Sequence, residues 1–307
     1  MKRICLYLLA SIMAVSALTG CRRPMHPTHK VIDVFAPAYA YRRVVPYEVN
    51  LYGIYILRHQ LNWQHVERYI WWYLDHLNYP DKYGLTGSMY DFYLDDRGRR
   101  TSAEAYDSAD SYAATFLILL HEYYQRVGNR QLFLASRKKI EDIAYLLIFL
   151  KDPDGLTRAM PDRDSKYLMD NCEVYAGLKA YVALCRALDW PIPRIYADAV
   201  REVRQGVWAR FYDAPTGMFH WAVDDRTEHV SDWNRFYPDA FAQLFPIVYG
   251  LLDPASQKAR QIWDTFCRQY GNAEGLADSL QTVIISMVRE RMQSKSRTIT
   301  KQKADRR

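Results

Sequence analysis

The chain holds a stretch, residues 106–124, that opens with two acids, Asp107 and Asp110, and then turns almost wholly apolar from Tyr112 to Leu120. A helix at a protein surface shows one apolar stripe, whereas one that is apolar nearly all round asks for protein on every side. The stretch therefore reads as an inner helix. Its opening signature (acid or amide, any residue, aromatic, small) recurs at Asn50-Leu51-Tyr52-Gly53, Asp110-Ser111-Tyr112-Ala113, Glu173-Val174-Tyr175-Ala176 and Asp239-Ala240-Phe241-Ala242. The spacings are 60, 63 and 66 residues, room in each unit for two helices and a loop. A near-constant period marks a stacked architecture whose units cannot bury their faces alone.

Helical spacing fills in the units. An inner helix over residues 48–58 pairs with an outer one over 63–76, and the opening stretch pairs with 132–150. Residues 171–188 pair with 195–212, and 238–252 with 255–270, before a last helix over 276–292. Between hairpins a second repeat appears at Asp81-Lys82-Tyr83-Gly84, Asp152-Pro153-Asp154-Gly155 and Asp213-Ala214-Pro215-Thr216-Gly217, each a turn with a positive-φ glycine followed by a short extended segment. Every inner helix thus starts at the same end. The long loops over 86–104, 158–169 and 219–235 crowd that end as the rim of a cleft.

The N-terminus has the layout of a secretory signal: Lys2 and Arg3, an apolar run over 4–17, then Leu18-Thr19-Gly20-Cys21. The last four residues look like a bacterial lipobox, with Cys21 as the acylated first residue of the mature chain and Arg22 favouring the outer membrane. The expected organisation is a signal peptide over 1–20, a tether over 21–45, a helical body over 46–292 and a disordered basic tail over 293–307. Of the five cysteines, Cys172, Cys185 and Cys267 remain as core thiols, with no zinc-like pairing. No metal motif is visible and no cofactor is expected.

The formal charge of +6 arises in the tail, where residues 289–307 hold eight Lys or Arg and two acids. Without the tail and the signal, 31 basic residues face 33 acidic ones, so the body offers no nucleic-acid surface and the tail is a solvated arm suited to anionic surfaces. The 25 tyrosines suit a wet-rimmed core or a groove that stacks sugars.

Hairpins with apolar inner helices, Asp-Gly turns and acids at one end resemble the six-hairpin glycosidase superfamily, whose members cleave or bind polysaccharides. The resemblance covers residues 45–292 and implies an all-α fold, an (α/α)n toroid of about five to six hairpins with short β segments in the rim loops. Four full units and a partial one can be counted. The segment from Glu48 to Ile54 is similar to the Ser-Glu-Gly-x-Gly-Tyr-Gly-Met motif of glycoside hydrolase family 8, whose glutamate is the general acid, with Val49 and Leu51 standing where that family has glycine. Asp107-Ser108-Ala109-Asp110 resembles its Asp-x-Asp-x-Ala-Tyr stretch, one residue out of register.

Glycoside hydrolysis needs a protonated carboxyl to release the leaving oxygen and a carboxylate to activate water or attack the sugar. The candidates are Glu48, Asp107, Asp110, Glu173 and Asp239. Acids at helix starts also serve as caps and suit the helix dipole, which alone accounts for Asp107-x-x-Asp110 and Asp170-x-x-Glu173. Candidate sugar contacts are Tyr52, Tyr112 and Tyr175 in the repeat and His220, Trp221, Trp233 and Tyr237 in the last long loop. The expected function is a lipid-anchored envelope glycoside hydrolase with a polysaccharide or oligosaccharide partner. Two alternatives are a non-catalytic carbohydrate-binding or scaffolding lipoprotein, and a polysaccharide lyase using Arg235, His229 and Tyr237.

Overall fold

The computed structural model describes residues 43–304, apart from 96, 98 and 272 and the side chains beyond 293. The signal peptide, Cys21 and nearly all of the tether lie outside the described residues. In chain order the elements are β1 (Arg43–Val44), α1 (Pro46–Arg58), α2 (Trp63–Asp75), β2 (Phe92–Leu94), β3 (Arg100–Ser102), α3 (Ala109–Val127), α4 (Arg130–Phe149), β4 (Lys166–Tyr167), α5 (Leu168–Leu188) and α6 (Arg194–Gly206). A π-turn (Val207–Phe211) ends α6, and β5 (Tyr212–Asp213), β6 (Met218–Phe219), β7 (Ala222–Val223) and β8 (Glu228–His229) follow. A second π-turn (Phe236–Ala240), α7 (Phe245–Val248), α8 (Gln257–Tyr270) and α9 (Ser279–Ala304) complete the chain.

The inner members form a closed ring in which α1 packs on α3, α3 on α5, α5 on α7, α7 on α9 and α9 back on α1. Outer helices lean on it, α2 against α1 and α3, α4 against α3 and α5, and α6 against α5 and α4. The burial follows from composition: α3 is buried at every residue from Ala109 to Leu120, whereas α8 buries only Ala259, Ile262 and Phe266. The described residues thus hold four hairpins and a single closing helix.

The rim carries the β segments in three small antiparallel sheets, ordered β1-β2-β3, β4-β7-β8 and β5-β6. The repeated turns have the expected glycines, Gly84, Gly155 and Gly217, all with positive φ. At Gly155 space is limiting too, because a Cβ there would stand 2.3 Å from the Glu202 carbonyl oxygen.

Two expectations need correction. The fourth inner segment is not one helix over 238–252 but a π-turn, a two-residue turn and the one-turn α7, because Pro246 has no N–H to continue a helix ladder and Gly250 turns the chain at φ +80°. The tail expected to be irregular from 293 is helical backbone to Ala304, and no Gly or Pro interrupts residues 276–307. No helix among the described residues is long and apolar enough to cross a membrane.

The tightest approach in the ring is between α5 and α3, where a Cβ on Gly177 would lie 2.7 Å from both Cα and O of Ala114. Gly177→Ala is therefore expected to lower stability by about 1–3 kcal/mol through overpacking, against alanine's better helix propensity. Chemical denaturation of the purified variant checks this.

Candidate active site

The first position of the repeated signature is the innermost polar layer. Asn50, Asp110, Glu173 and Asp239 are all 0% exposed, and a buried polar group is costly unless it is hydrogen-bonded. Asn50 donates to the Tyr112 carbonyl at 3.2 Å and to Thr115 Oγ1 at 3.0 Å, and accepts from the Tyr69 hydroxyl at 2.9 Å. Glu173 Oε1 accepts from the Tyr47 hydroxyl at 2.8 Å and the Tyr249 hydroxyl at 3.0 Å, while Oε2 accepts from Ser111 Oγ. Burial pushes the Glu173 carboxyl up to about 8, and the three hydroxyls only partly oppose it.

Asp110 accepts from the Ser111 amide at 2.8 Å, Ser108 Oγ at 2.7 Å and Thr157 Oγ1 at 2.6 Å. Ser108 Oγ also lies 2.6 Å from Asp170 Oδ2. One hydroxyl has one proton and cannot donate to both carboxyls. Asp110 has two further donors, which partly oppose the burial that raises its carboxyl to about 6, and the Ser108 hydroxyl ties the two side chains together. Burial first, then the charges of Asp110 and Glu173, hold Asp170 well above the ordinary carboxylate range.

Around this buried layer stands a ring of more accessible acids. Glu48, on the first turn of α1, is half-buried, and its carboxyl is pushed up to about 7 by burial and by Asp278 and Asp91, with Arg43 opposing. Asp91 is buried, paired with Arg43, and accepts from the Tyr112 hydroxyl at 2.9 Å. Asp107 is exposed, and its charge raises Asp91, Tyr112 and Asp170. Asp278 caps α9, accepting from the Gln281 amide at 2.7 Å. Tyr237, 54% exposed, is pushed up to about 12 by burial and by Asp170, Asp107 and Asp278. Acids from four parts of the chain therefore surround one mouth.

Glu48, Asp107, Asp110 and Glu173 belong to this cluster, while Asp239 occupies the neighbouring sector. Its Oδ1 accepts from the Asp232 amide at 2.9 Å, and its Oδ2 has no hydrogen bond, with Arg235 Nη1 at 3.8 Å. Sequence reasoning gave no chemical place to Asp91, Asp170 or Asp278. Asp170 was findable, since it follows Asp107 by the same 63 residues that separate Asp110 from Glu173. Asp278 opens a capping box with Gln281, but Asp91 sits in a loop with no local signal.

Among the candidate sugar contacts, Tyr112 and Tyr175 are 3% and 4% exposed and offer no open face. The Tyr52 hydroxyl donates to Ser279 Oγ at 2.9 Å, tying α1 to α9. His220 is buried and faces Glu228 at 3.4 Å, and Trp233 packs partly buried with its carbonyl accepting from Tyr270. Trp221 stacks on Tyr167 with centroids 6.3 Å apart and planes 10° apart, its other neighbour being His229 at 4.9 Å. The Tyr167 phenol is raised by burial and then by Asp170 and Asp107, so this ring pair stands at the mouth. Among the described residues no three His, Cys, Asp or Glu side chains are grouped to hold a metal ion.

The rhamnosidase from Klebsiella oxytoca superposes with a TM-score of 0.54 at 14% identity, over 86% of this chain and 48% of its own. The GH76 α-mannanase of Bacteroides thetaiotaomicron superposes at 0.51 and 13% identity, over 79% of this chain and 66% of that one. The chain is an α/α toroid. The toroid spans about half the length of the rhamnosidase. No family model matches the sequence, and no curated protein does.

A carboxyl whose folded value is raised binds its proton more tightly folded than unfolded, so its contribution is full below the unfolded value and is lost as pH rises through the folded one. Glu173, raised to about 8, is expected to make the melting temperature fall steadily from pH 5 to pH 8.5. Glu173→Gln should flatten that slope, which thermal unfolding followed by circular dichroism across the range would reveal.

Proposed function

We propose that the toroid is a glycoside hydrolase acting on a polysaccharide or oligosaccharide through two carboxyl groups, with Glu48 at the mouth as the proton donor. The observation that carries this is a partly exposed carboxyl on the first turn of α1, at the N-terminal end of an inner helix, which burial, Asp278 and Asp91 raise to about 7, the range in which a general acid is most effective. The second carboxylate in this reading is Asp239. Its Oδ2 is the one buried carboxylate oxygen among the described residues without a hydrogen bond, with Arg235 Nη1 at 3.8 Å. Asp110 and Glu173 have their lone pairs occupied by protein donors and hold the scaffold instead. The fold shared with a rhamnosidase and a mannanase supports a sugar substrate without identifying it.

Glu48→Gln and Asp239→Asn are each expected to lower the release of reducing ends by about 10²-fold or more, with the melting temperature within a few degrees of the parent. Wild-type activity should fall as pH rises through about 7, where Glu48 loses its proton. Saccharide binding with no release of reducing ends would replace the hydrolase with a binding or scaffolding toroid, and an unsaturated uronate product would make it a lyase.

The same proposal puts the protein in the cell envelope, held through an acylated Cys21, for which the lipobox-like Leu18-Thr19-Gly20-Cys21 is the support. Metabolic labelling with a clickable fatty acid should mark the wild type and not Cys21→Ala. Equal labelling of both removes the anchor.

A further inference from the structure

The outer wall carries a concave feature of its own. On the last turns of α6 and the π-turn that follows, Arg201, Arg204, Gln205, Trp208 and Ala209 line an open groove of about 560 Å³. The first four stand at the i, i+3, i+4, i+7 spacing of one helical face. What they offer is unbalanced. The Arg204 guanidinium, the Gln205 amide and the Trp208 Nε1–H have no hydrogen-bond or ion-pair partner among the described residues, and Arg201 has one, Asp198 at 2.7 Å, which Arg194 shares at 3.3 Å. The other acids of this wall are also held, Glu202 by Lys151 at 2.7 Å and Asp154 by Lys166 at 2.8 Å, with Arg210 at 3.6 Å. Guanidinium and indole groups only donate, so the Gln205 carbonyl is the one side-chain acceptor in the lining.

Trp208 is half-buried and fixed from within by Tyr212 and Phe219, with ring centroids 4.9 and 5.3 Å away, and its remaining surface lines the groove. A cation in the last turn of α6 suits the helix dipole, which accounts for Arg204. It does not account for a second arginine one turn back, where like charges repel, or for a tryptophan held open between unpaired donors. We propose that this groove binds an acidic saccharide, a uronic acid residue within a glycan, with its ring against the Trp208 indole and its carboxylate on Arg201 and Arg204. A planar carboxylate matches the guanidinium fork, the sugar's hydroxyl oxygens accept from Gln205 and Trp208, and its C–H face covers the indole. A neutral sugar leaves the guanidiniums unmet, and a bare phosphate leaves the ring uncovered. The site is independent of the reading of the mouth. Gly206, at the end of α6, packs against the Asp154 carbonyl of a rim turn, so the groove flanks the rim from outside, and a glycan held there is kept beside the mouth without entering it.

Calorimetric titration of the full-length protein with trigalacturonate, a neutral galactose trimer and inorganic phosphate tests this. At about 50 mM NaCl trigalacturonate is expected to bind roughly tenfold more tightly than the neutral trimer, a margin that about 500 mM NaCl removes by screening. R201Q/R204Q should weaken trigalacturonate about tenfold, and Arg204→Lys should weaken it less than Arg204→Gln, because an ammonium keeps the charge and loses the fork. Trp208→Phe should weaken both trimers and leave phosphate unmoved. Arg201 and Arg204 are exposed, so the melting temperature should stay within a few degrees, and the comparisons on the wild type need no variant. Equal affinity for the charged and neutral trimers, trigalacturonate binding that R201Q/R204Q leaves unchanged, or no binding of trigalacturonate overturns the site. Phosphate binding as tightly as trigalacturonate, with Trp208→Phe moving neither, leaves a plain anion patch and overturns the saccharide. Release of reducing ends by R201Q/R204Q is expected to match the wild type, so failure here leaves the hydrolase standing.

Discussion

Glu173 is the point on which the ring is centred. Its carboxyl is out of contact with solvent and takes hydroxyls from Tyr47 on α1, Ser111 on α3 and Tyr249 at the end of α7. Placing an acid there is unfavourable unless every lone pair is met and the charge can be lost to a proton. Both conditions hold, and the result is one group that registers four of the five inner segments against each other. Remove it and three hydroxyls lose their common acceptor.

That centre fixes what surrounds it. The inner helices all present their N-terminal ends to the mouth, where partial positive charge favours carboxylates, and carry Arg58, Arg126 and Arg186 in their last turns at the opposite end. Sequence polarity and helix polarity therefore agree along each rod. The acids at the mouth are stabilised by the helix ends yet buried and crowded by one another, and burial first, with crowding second, lifts Glu48 and Asp170 out of the ordinary range. Function and fold draw on the same electrostatics.

Much of this was legible in the residues. An all-round apolar helix such as α3 has few places to go, and a signature repeating at about 63 residues gives the repeat of the units and the common direction of the inner helices. The fourth unit was misread because its apolar residues keep helical spacing through Pro246, where periodicity and backbone chemistry disagree and chemistry wins. Depth was invisible as well: Asp107 and Asp110 are three residues apart, yet one is exposed and the other sealed under Ser108 and Thr157. Tyr112 and Tyr175 sit in the repeat as aromatic positions that the core needs, and nothing local distinguishes them from Tyr237, which stays open. Asp91 is placed by Arg43 and Tyr112, 48 and 21 residues away.

The seam between α9 and α1 gives the molecule its order of assembly. In an open stack of repeats each unit leans on its neighbours and the array can grow from one end. Here the circle is closed by Tyr52 meeting Ser279 and His59 meeting Glu290, partners 227 and 231 residues apart. Contacts so distant in the chain form late, after the entropy of the intervening loop has been overcome. Asp278, which helps to raise Glu48, arrives with that last helix, so a growing chain has no finished mouth until its final rod is in place.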